Sequence, residues 1–409
     1  MRICNDGTYD YCRWAQSTPA PGAANLQNTS PTEFFQNNMN TVRLAFLSGQ
    51  RVDTCNQCAT MEQHGKISGR QKQLLKIGVR LEQFEKTLAS SPWTSVLADS
   101  ACSQTPQDWQ IDLGNYCNSA CVFCHPNSSS RLATEWQRLG LIQTLPSANW
   151  TDDPAQIVKF VKDLADSPHI QYLHFIGGET VITPAFRTIL EALIKAGLHS
   201  TATIGFTTNL TVWDNEICDL LCKFANVNLG VSIETFDSVN DYVRWPSSMP
   251  TVLKNLTKWQ KLADQQEWLI QIRTTPTVLT IDSVLTVYDW AWDRQICVES
   301  CNFLDRPDFM RPSVLPPQYR SQVIDRMQSW LDQHCVLGDT VVNIRNPNTT
   351  QLQNRQDLAS YVTYLRDQPD ESHMLPNLVK FLKTLESGRG NSVLTYLPQY
   401  EQLFRSAGY

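Results

Sequence analysis

The segment Tyr116–Pro126 reads "YCNSACVFCHP" and places Cys117, Cys121 and Cys124 within eight residues. Three positions separate the first pair and two the second. A structural zinc site needs four ligands and no open position, and His125 could complete such a set. Iron–sulfur clusters are held by cysteine thiolates, usually four. Three thiolates in one short loop can also ligate three irons of a four-iron cube and leave the fourth open to an outside ligand. A disulfide pair is the remaining reading.

The surrounding chain narrows these choices. Its 409 residues suggest two or three folding units, or one large barrel with additions. A hydrophobic content of 42% with 18% charged residues allows a sizeable core. The net charge of −6 and a sequence pI of about 5.7 argue against a polyanion-binding surface, and so against a nucleic-acid partner. The opening "MRICNDGTYD" shows no basic stretch followed by an apolar run. No segment approaches the roughly 18 apolar residues that cross a bilayer. The expectation is a soluble, cytoplasmic protein with no membrane partner. Thirteen cysteines then stand out, because a reducing compartment disfavours disulfides and clustered cysteines there bind metal or do redox chemistry. Cys4, Cys12, Cys55 and Cys58 lie near the N-terminus, and Cys102, Cys218, Cys222, Cys297, Cys301 and Cys335 are scattered.

Residues 1–59 read as polar and loop-rich, and a helix is expected from Thr60 to about Leu88. "DWQIDLGNY" reads as a strand running into the cysteine loop, followed by helices at Arg131–Leu139 and Asp153–Ala165. Strands and helices then alternate. "IQYLHFIGG", "TATIGFTTN", "VNLGVSIET", "WLIQIRTTPTV" and "ICVESCNFL" are the strands. The helices between them open at Thr183–Pro184, in "VWDNEICDLLCKF", at Met249 and at Asp282. Nearly continuous apolar strands alternating with helices imply an α/β fold with a parallel sheet. Chemistry in such sheets gathers at the C-terminal strand ends. Gly177, Gly178 and Glu179 ("GGE") fall there, as do "TTN" ending at Asn209 and "SIE" from Ser232 to Glu234. Arg244 follows in "DYVRWP". Glycines allow close backbone approach, and a carboxylate can accept from an ammonium group.

The Cys-x3-Cys-x2-Cys spacing, with Phe123 directly before the last cysteine, resembles the radical S-adenosylmethionine (radical SAM) superfamily. The resemblance covers roughly Asp108 to Pro316 and implies a partial (β/α)6 TIM-like barrel. It implies a 4Fe-4S cluster on Cys117, Cys121 and Cys124, with SAM at the open iron and Phe123 beside it. It assigns Gly177, Gly178 and Glu179 to the SAM amino group, Ser232 and Glu234 to the ribose, and Asn209 and Arg244 to the methionine part. Reductive cleavage would release a 5′-deoxyadenosyl radical that abstracts a substrate hydrogen. An electron donor such as flavodoxin or ferredoxin is implied.

Near the N-terminus, Gly7-x4-Cys12 and the Cys55-x2-Cys58 pair resemble the auxiliary-cluster modules called twitch or SPASM domains, in a subgroup that carries them before the core. The run Cys55, Cys58, Glu62, Gly65, Ser68, Arg70 looks like theirs. A second iron–sulfur cluster would use Cys4, Cys12, Cys55 and Cys58, with Cys102 or a substrate atom as alternatives to Cys4. A four-cysteine zinc site has much the same ligands. Cys218 and Cys222, four apart on one helix, read as core residues, Cys335 as structural and His174 as packed core. Cys297 and Cys301 flank the last strand, as packing residues or as ligands.

The expected division is an auxiliary region over 1–100, a radical SAM core over 101–315 and a helical extension over 316–409. The expected activity is radical chemistry on a peptide or other biosynthetic substrate, as an oxidoreductase or transferase, with no further catalytic residue assigned. A nucleoside, sugar or small metabolite is the alternative substrate. A zinc-stabilised interaction protein is the non-enzymatic reading.

Overall fold

The apolar strand segments pair in chain order. In the computed structural model, which describes residues 1–12, 15, 23–50, 52–76, 105–167, 170–300, 303–304, 306–334 and 348–409, eight strands are present. They are β1 (Arg2–Ile3), β2 (Tyr9–Asp10), β3 (Asp108–Asp112), β4 (Tyr172–Ile176), β5 (Thr203–Thr208), β6 (Asn226–Ser232), β7 (Leu269–Thr274) and β8 (Cys297–Ser300). The sheet order is β2-β1-β3-β4-β5-β6-β7-β8, an open α/β arrangement consistent with the expected partial barrel. β1 and β2 form an antiparallel hairpin, whereas the pairs β1–β3, β3–β4, β4–β5, β6–β7 and β7–β8 are parallel.

The described chain divides into two compact units that interleave along the sequence. The first comprises residues 1–114, 147–206 and 215–227. Trp109 and Ile111 on β3, Leu173 and Phe175 on β4, and Ile204 on β5 form its apolar strand face. Helices Pro154–Ala165 and Pro184–Lys195 cover it, with Phe160 edge-on to Trp109 at 6.3 Å and Phe186 edge-on to Phe175 at 5.3 Å. Pro154 occupies the first turn as expected, and Asp153 caps it by accepting from the Ala155 N–H at 2.9 Å. The opposite strand positions, Gln110 and His174, are buried too. The end of β3 is braced by two donors, Trp150 Nε1 to Asp112 O and Thr151 Oγ1 to Leu113 O, each at 2.7 Å.

The N-terminal region is more ordered than its composition suggests. Strands β1 and β2 and helices Asn40–Leu47 and Asn56–Gln63 fall within residues 1–59 or cross their end. Two-residue strands show no periodicity, so only long-range pairing reveals them; Ile3 is fully buried opposite Ile111. The expected Thr60–Leu88 helix is instead two helices, Asn56–Gln63 and Gly69–Lys76, and residues 77–88 lie outside the described set. The break comes at Gly65, at φ +75°. The Gly65 N–H bonds Glu62 O at 3.1 Å and the Lys66 N–H bonds Met61 O at 2.9 Å, a Schellman closure that ends the helix. Cys58 therefore sits within a helix and Cys55 at its start.

The second unit comprises residues 115–146, 207–214 and 228–409. Val231, Ile272 and Val298 supply its apolar strand face. Helices Met249–Gln266, Leu285–Arg294, Pro317–Gln333, Asn348–Asp367 and Leu375–Arg389 complete it, so the C-terminal segment is helical as expected. Among the described residues no helix is long and apolar enough to cross a membrane.

Candidate cofactor site

In the second unit the three-cysteine loop is held mainly by its backbone. The Ala120 N–H bonds Trp245 O at 2.7 Å and the Val122 N–H bonds Val243 O at 2.8 Å, so the loop runs alongside the segment that carries Arg244. Ser129 caps helix Ser130–Arg138 through the Leu132 N–H and donates to Ser119 O at 2.6 Å. The Cys117 N–H bonds Ser130 Oγ at 3.2 Å. The same short capping segment that starts the helix thus fixes the first half of the loop, at Cys117 and Ser119.

The thiols act on one another. Burial, then the Cys121 and Cys117 thiols, push the Cys124 thiol up to about 12. Burial raises the Cys121 thiol as well, against the nearby Arg244 and Arg389 guanidinium groups. Cys121 is buried and Cys117 and Cys124 are half-buried, and three thiols this close are a site that a cation would stabilise, since metal binding would draw off their protons. Their chemistry therefore fits an iron–sulfur cluster. Among the described residues no three His, Cys, Asp or Glu side chains are already arranged around a single metal point. His125 Nδ1 accepts from the Asn127 N–H at 3.2 Å, which engages that nitrogen in the turn.

Arg244 and Glu234 form a buried pair beside this loop. Burial opposes the Arg244 charge, but Glu234, Cys121 and Cys124 together hold its pKa above the ordinary value. Arg244 Nε donates to Glu234 Oε1 at 3.1 Å, with Nη2 on the same oxygen. Glu234, 0% exposed, accepts at Oε2 from Thr274 Oγ1 at 3.0 Å and the Thr275 N–H at 2.7 Å. Both carboxylate oxygens are thus spent inside the protein, where the resemblance had assigned them to a ribose. The Arg244 guanidinium carbon lies 5.4 Å from the centre of the Phe123 ring. Asn209 donates to Asn118 Oδ1 and Ser119 Oγ, each at 3.0 Å, and accepts from the Thr211 N–H, so its amide ties the end of β5 to the cysteine loop. Ser232 ends β6, half-buried and opposite Arg273 in register.

Gly177, Gly178 and Glu179 belong to the first unit, at the end of β4. Gly177 has φ +105°, and a Cβ there would lie 2.5 Å from Gly114 O and closer still to Asp112 Oδ1. Neither neighbour can give way cheaply, since Asp112 Oδ1 accepts from the Gly114 N–H at 3.0 Å. Burial pushes Asp112 up to about 6, against the Arg2 guanidinium and that N–H. Gly177→Ala is expected to destabilise the fold by about 2–3 kcal/mol through strain and overpacking, measured as a lowered urea midpoint. A midpoint equal to the parent's would contradict the close approach. Glu179 is buried and accepts from the Val181 N–H at 3.3 Å.

The N-terminal cysteines also lie in the first unit. Burial, then the Cys12 and Cys58 thiols, raise the Cys55 thiol, so these three share a neighbourhood. Arg70 is fixed by a two-point contact with Glu62, including Nε to Oε1 at 3.0 Å, and feels both Cys58 and Cys55. Cys4 answers instead to Arg2, Thr8, Asp10 and Asp112, after its own burial. Cys218 is buried in helix Asn215–Leu221, but the helix stops before Cys222, which is exposed rather than core. Cys297 opens β8, with Sγ 3.7 Å from Gln353 Oε1. Cys102, Cys301 and Cys335 lie outside the described residues.

Sequence reasoning missed Glu135 and Arg389. Arg389 ends helix Leu375–Arg389 and donates from Nη2 to Ala120 O at 2.7 Å. It also grips Glu135 through Nε at 2.8 Å and Nη2 at 2.6 Å. The only local hint was an acidic residue in a helix that follows the cysteines.

Comparisons with known proteins bear on the middle of the chain. Sporulation killing factor maturation protein SkfB of Bacillus subtilis (strain 168) is 24% identical over 189 residues, covering 42% of this chain and 41% of SkfB. Among solved structures, Streptococcus suis SuiB bound to precursor peptide SuiA gives a TM-score of 0.39 at 14% identity, covering 76% of this chain and 66% of SuiB. Native anSMEcpe with bound AdoMet gives a TM-score of 0.40 at 15% identity, covering 56% and 61%. The chain thus spans less than half of the length of SkfB, a curated relative that it matches. The N-terminal cysteines fall before the span matched by a family model, residues 111–269, which holds the three-cysteine loop, Gly177–Glu179, Asn209, Glu234 and Arg244. The description of that model is the Radical SAM superfamily, and its match covers less than half of this chain.

Proposed function

We propose that this chain is a radical SAM enzyme whose 4Fe-4S cluster is held by Cys117, Cys121 and Cys124. The observation that carries the reading is the set of three neighbouring thiols on one short loop, tied by backbone hydrogen bonds to the segment that carries Arg244, inside the matched span. When bound, the cluster and SAM would supply reductive cleavage to a 5′-deoxyadenosyl radical for hydrogen abstraction. The chain's own part is binding and exclusion. Gly177 and Gly178 let a ligand approach the backbone, Glu179 would accept from its amino group, and Ser232 would meet its ribose. Arg244 would meet the carboxylate of the methionine part, and Asn209 and Phe123 would hold the loop and the guanidinium in place. Glu234 contributes by orienting Arg244.

A second cluster is proposed on Cys12, Cys55 and Cys58, with Arg70 held beside them by Glu62; Cys4 is the weaker candidate, given its other partners. The proposed division keeps the auxiliary region at 1–100, the core at 101–315 and the extension at 316–409. The proposed substrate is a peptide or other biosynthetic precursor, in keeping with SkfB as a maturation protein. The proposed electron donor is a flavodoxin or ferredoxin, in the reducing cytoplasm that free clustered thiols suit.

Anaerobic purification with iron, sulfide and zinc analysis tests this. Two clusters predict roughly seven to eight iron atoms per chain with matching sulfide, and about four would remove the auxiliary cluster. Zinc without acid-labile sulfide would overturn the radical reading.

A further inference from the structure

Resting on the proposed cluster at Cys117, Cys121 and Cys124, we propose that Arg389 and Glu135 form a charged clasp that positions the cysteine loop and sets the cluster's reduction potential. Arg389 lies beyond the span that matches the family, on the C-terminal extension. Its side chain is 1% exposed and that of Glu135 is 6% exposed. A buried ion pair is not required for stability, because well-packed apolar residues of similar volume often serve as well. This pair does something apolar residues could not. While both Nε and Nη2 engage Glu135, Nη2 also donates to Ala120 O, the carbonyl of the peptide that joins Ala120 to Cys121. The neighbouring Ala120 N–H is held by Trp245 O. The residue before Cys121 is therefore gripped on both its N–H and its carbonyl.

Two further features lead to the same clasp. The guanidinium carbons of Arg389 and Arg131 each lie 4.9 Å from the centre of the Trp245 ring, and Arg131 Nη1 donates to Asn118 O at 3.2 Å. Gly388 lies beside helix Ser130–Arg138, since a Cβ at that position would lie 2.7 Å from the flexible end of Arg138 at Nη2 and 3.4 Å from Leu139 Cδ2.

The clasp is neutral as a whole but oriented, with its positive end on the loop carbonyl. Reduction adds one negative charge to a cluster, and charges, hydrogen bonds and burial around it set the potential. A positive group at the loop favours the reduced form, most strongly where water is excluded. Arg389→Gln removes that charge and leaves Glu135 uncompensated, so the potential falls. Glu135→Gln leaves Arg389 uncompensated, so it rises. Arg389→Lys keeps the charge and loses the two-point grip, so it stays near the parental value. A purely structural clasp would shift Arg389→Gln and Glu135→Gln in the same direction.

The test is an anaerobic redox titration of the full chain and these three variants, followed by the electron paramagnetic resonance signal of the reduced cluster. Opposite shifts in Arg389→Gln and Glu135→Gln, with Arg389→Lys near the parent, are the expected result. Shifts in one direction, or none, overturn the proposal. If Arg389→Gln loses its cluster, a raised potential in Glu135→Gln with an unshifted Arg389→Lys supports the clasp, and an unshifted Glu135→Gln refutes it. A parent with no cluster signal defeats the radical SAM reading itself, and the clasp falls with it.

Discussion

A Cys121→Ala variant is expected to form no 5′-deoxyadenosine from SAM and reductant above background, a loss of more than about 100-fold. Even groups that only orient a metal ligand cost about 10–100-fold when removed, and Cys121 is the proposed ligand itself. The variant should stay folded. The backbone around Cys121 is fixed by bonds that do not involve its sulfur, namely Ala120 N–H to Trp245 O, Val122 N–H to Val243 O and Arg389 to Ala120 O. Removing one buried sulfur atom costs on the order of 1 kcal/mol, so the thermal midpoint should move by only a few degrees. Cys218→Ala is the matched control, since that thiol is also buried but sits on helix Asn215–Leu221 of the other unit. SAM cleavage by folded Cys121→Ala at the parental rate would remove the loop from the mechanism.

The loop was legible because its information is local. Three cysteines and a following helix cap lie within a few residues, and the apolar strands announce themselves by runs of Val, Ile, Leu and Phe. Strand ends were legible for the same reason, and residues Gly177–Glu179, Asn209 and Ser232 all fall at them. What the sequence hid was partnership across distance. Glu135 and Arg389 are 254 positions apart, and no spacing rule links an acid in one helix to the last residue of another. Glu234 was legible as a polar residue at a strand end. That its two oxygens are consumed by Arg244, Thr274 and Thr275 depends on neighbours as far as 41 positions away. Strands β1 and β2 escaped for a related reason, since two residues carry no period. At Gly65 a single left-handed residue split an apolar pattern that otherwise reads as one helix.

Glu234→Ala should lower folding stability by about 3–5 kcal/mol, because it leaves a buried cation without its partner. Arg244 is 13% exposed at its side chain and Glu234 is fully buried, so little water can replace the lost carboxylate. The Thr274 hydroxyl and the Thr275 N–H would lose their acceptor as well. The double variant Glu234→Leu with Arg244→Met removes both charges and should be more stable than Glu234→Ala, since replacing a buried pair costs less than breaking it. Urea unfolding of the single and double variants measures this, and a Glu234→Ala cost below about 1 kcal/mol would show that the pair is not isolated from solvent. The same double variant separates folding from function. Its fold should be close to that of the parent, yet it lacks the guanidinium proposed to meet the carboxylate of SAM, so SAM affinity should fall at least tenfold, or about 1.4 kcal/mol. Parental affinity in the double variant would return Arg244 to a structural role and leave Gly177–Glu179 to carry the methionine end of SAM alone.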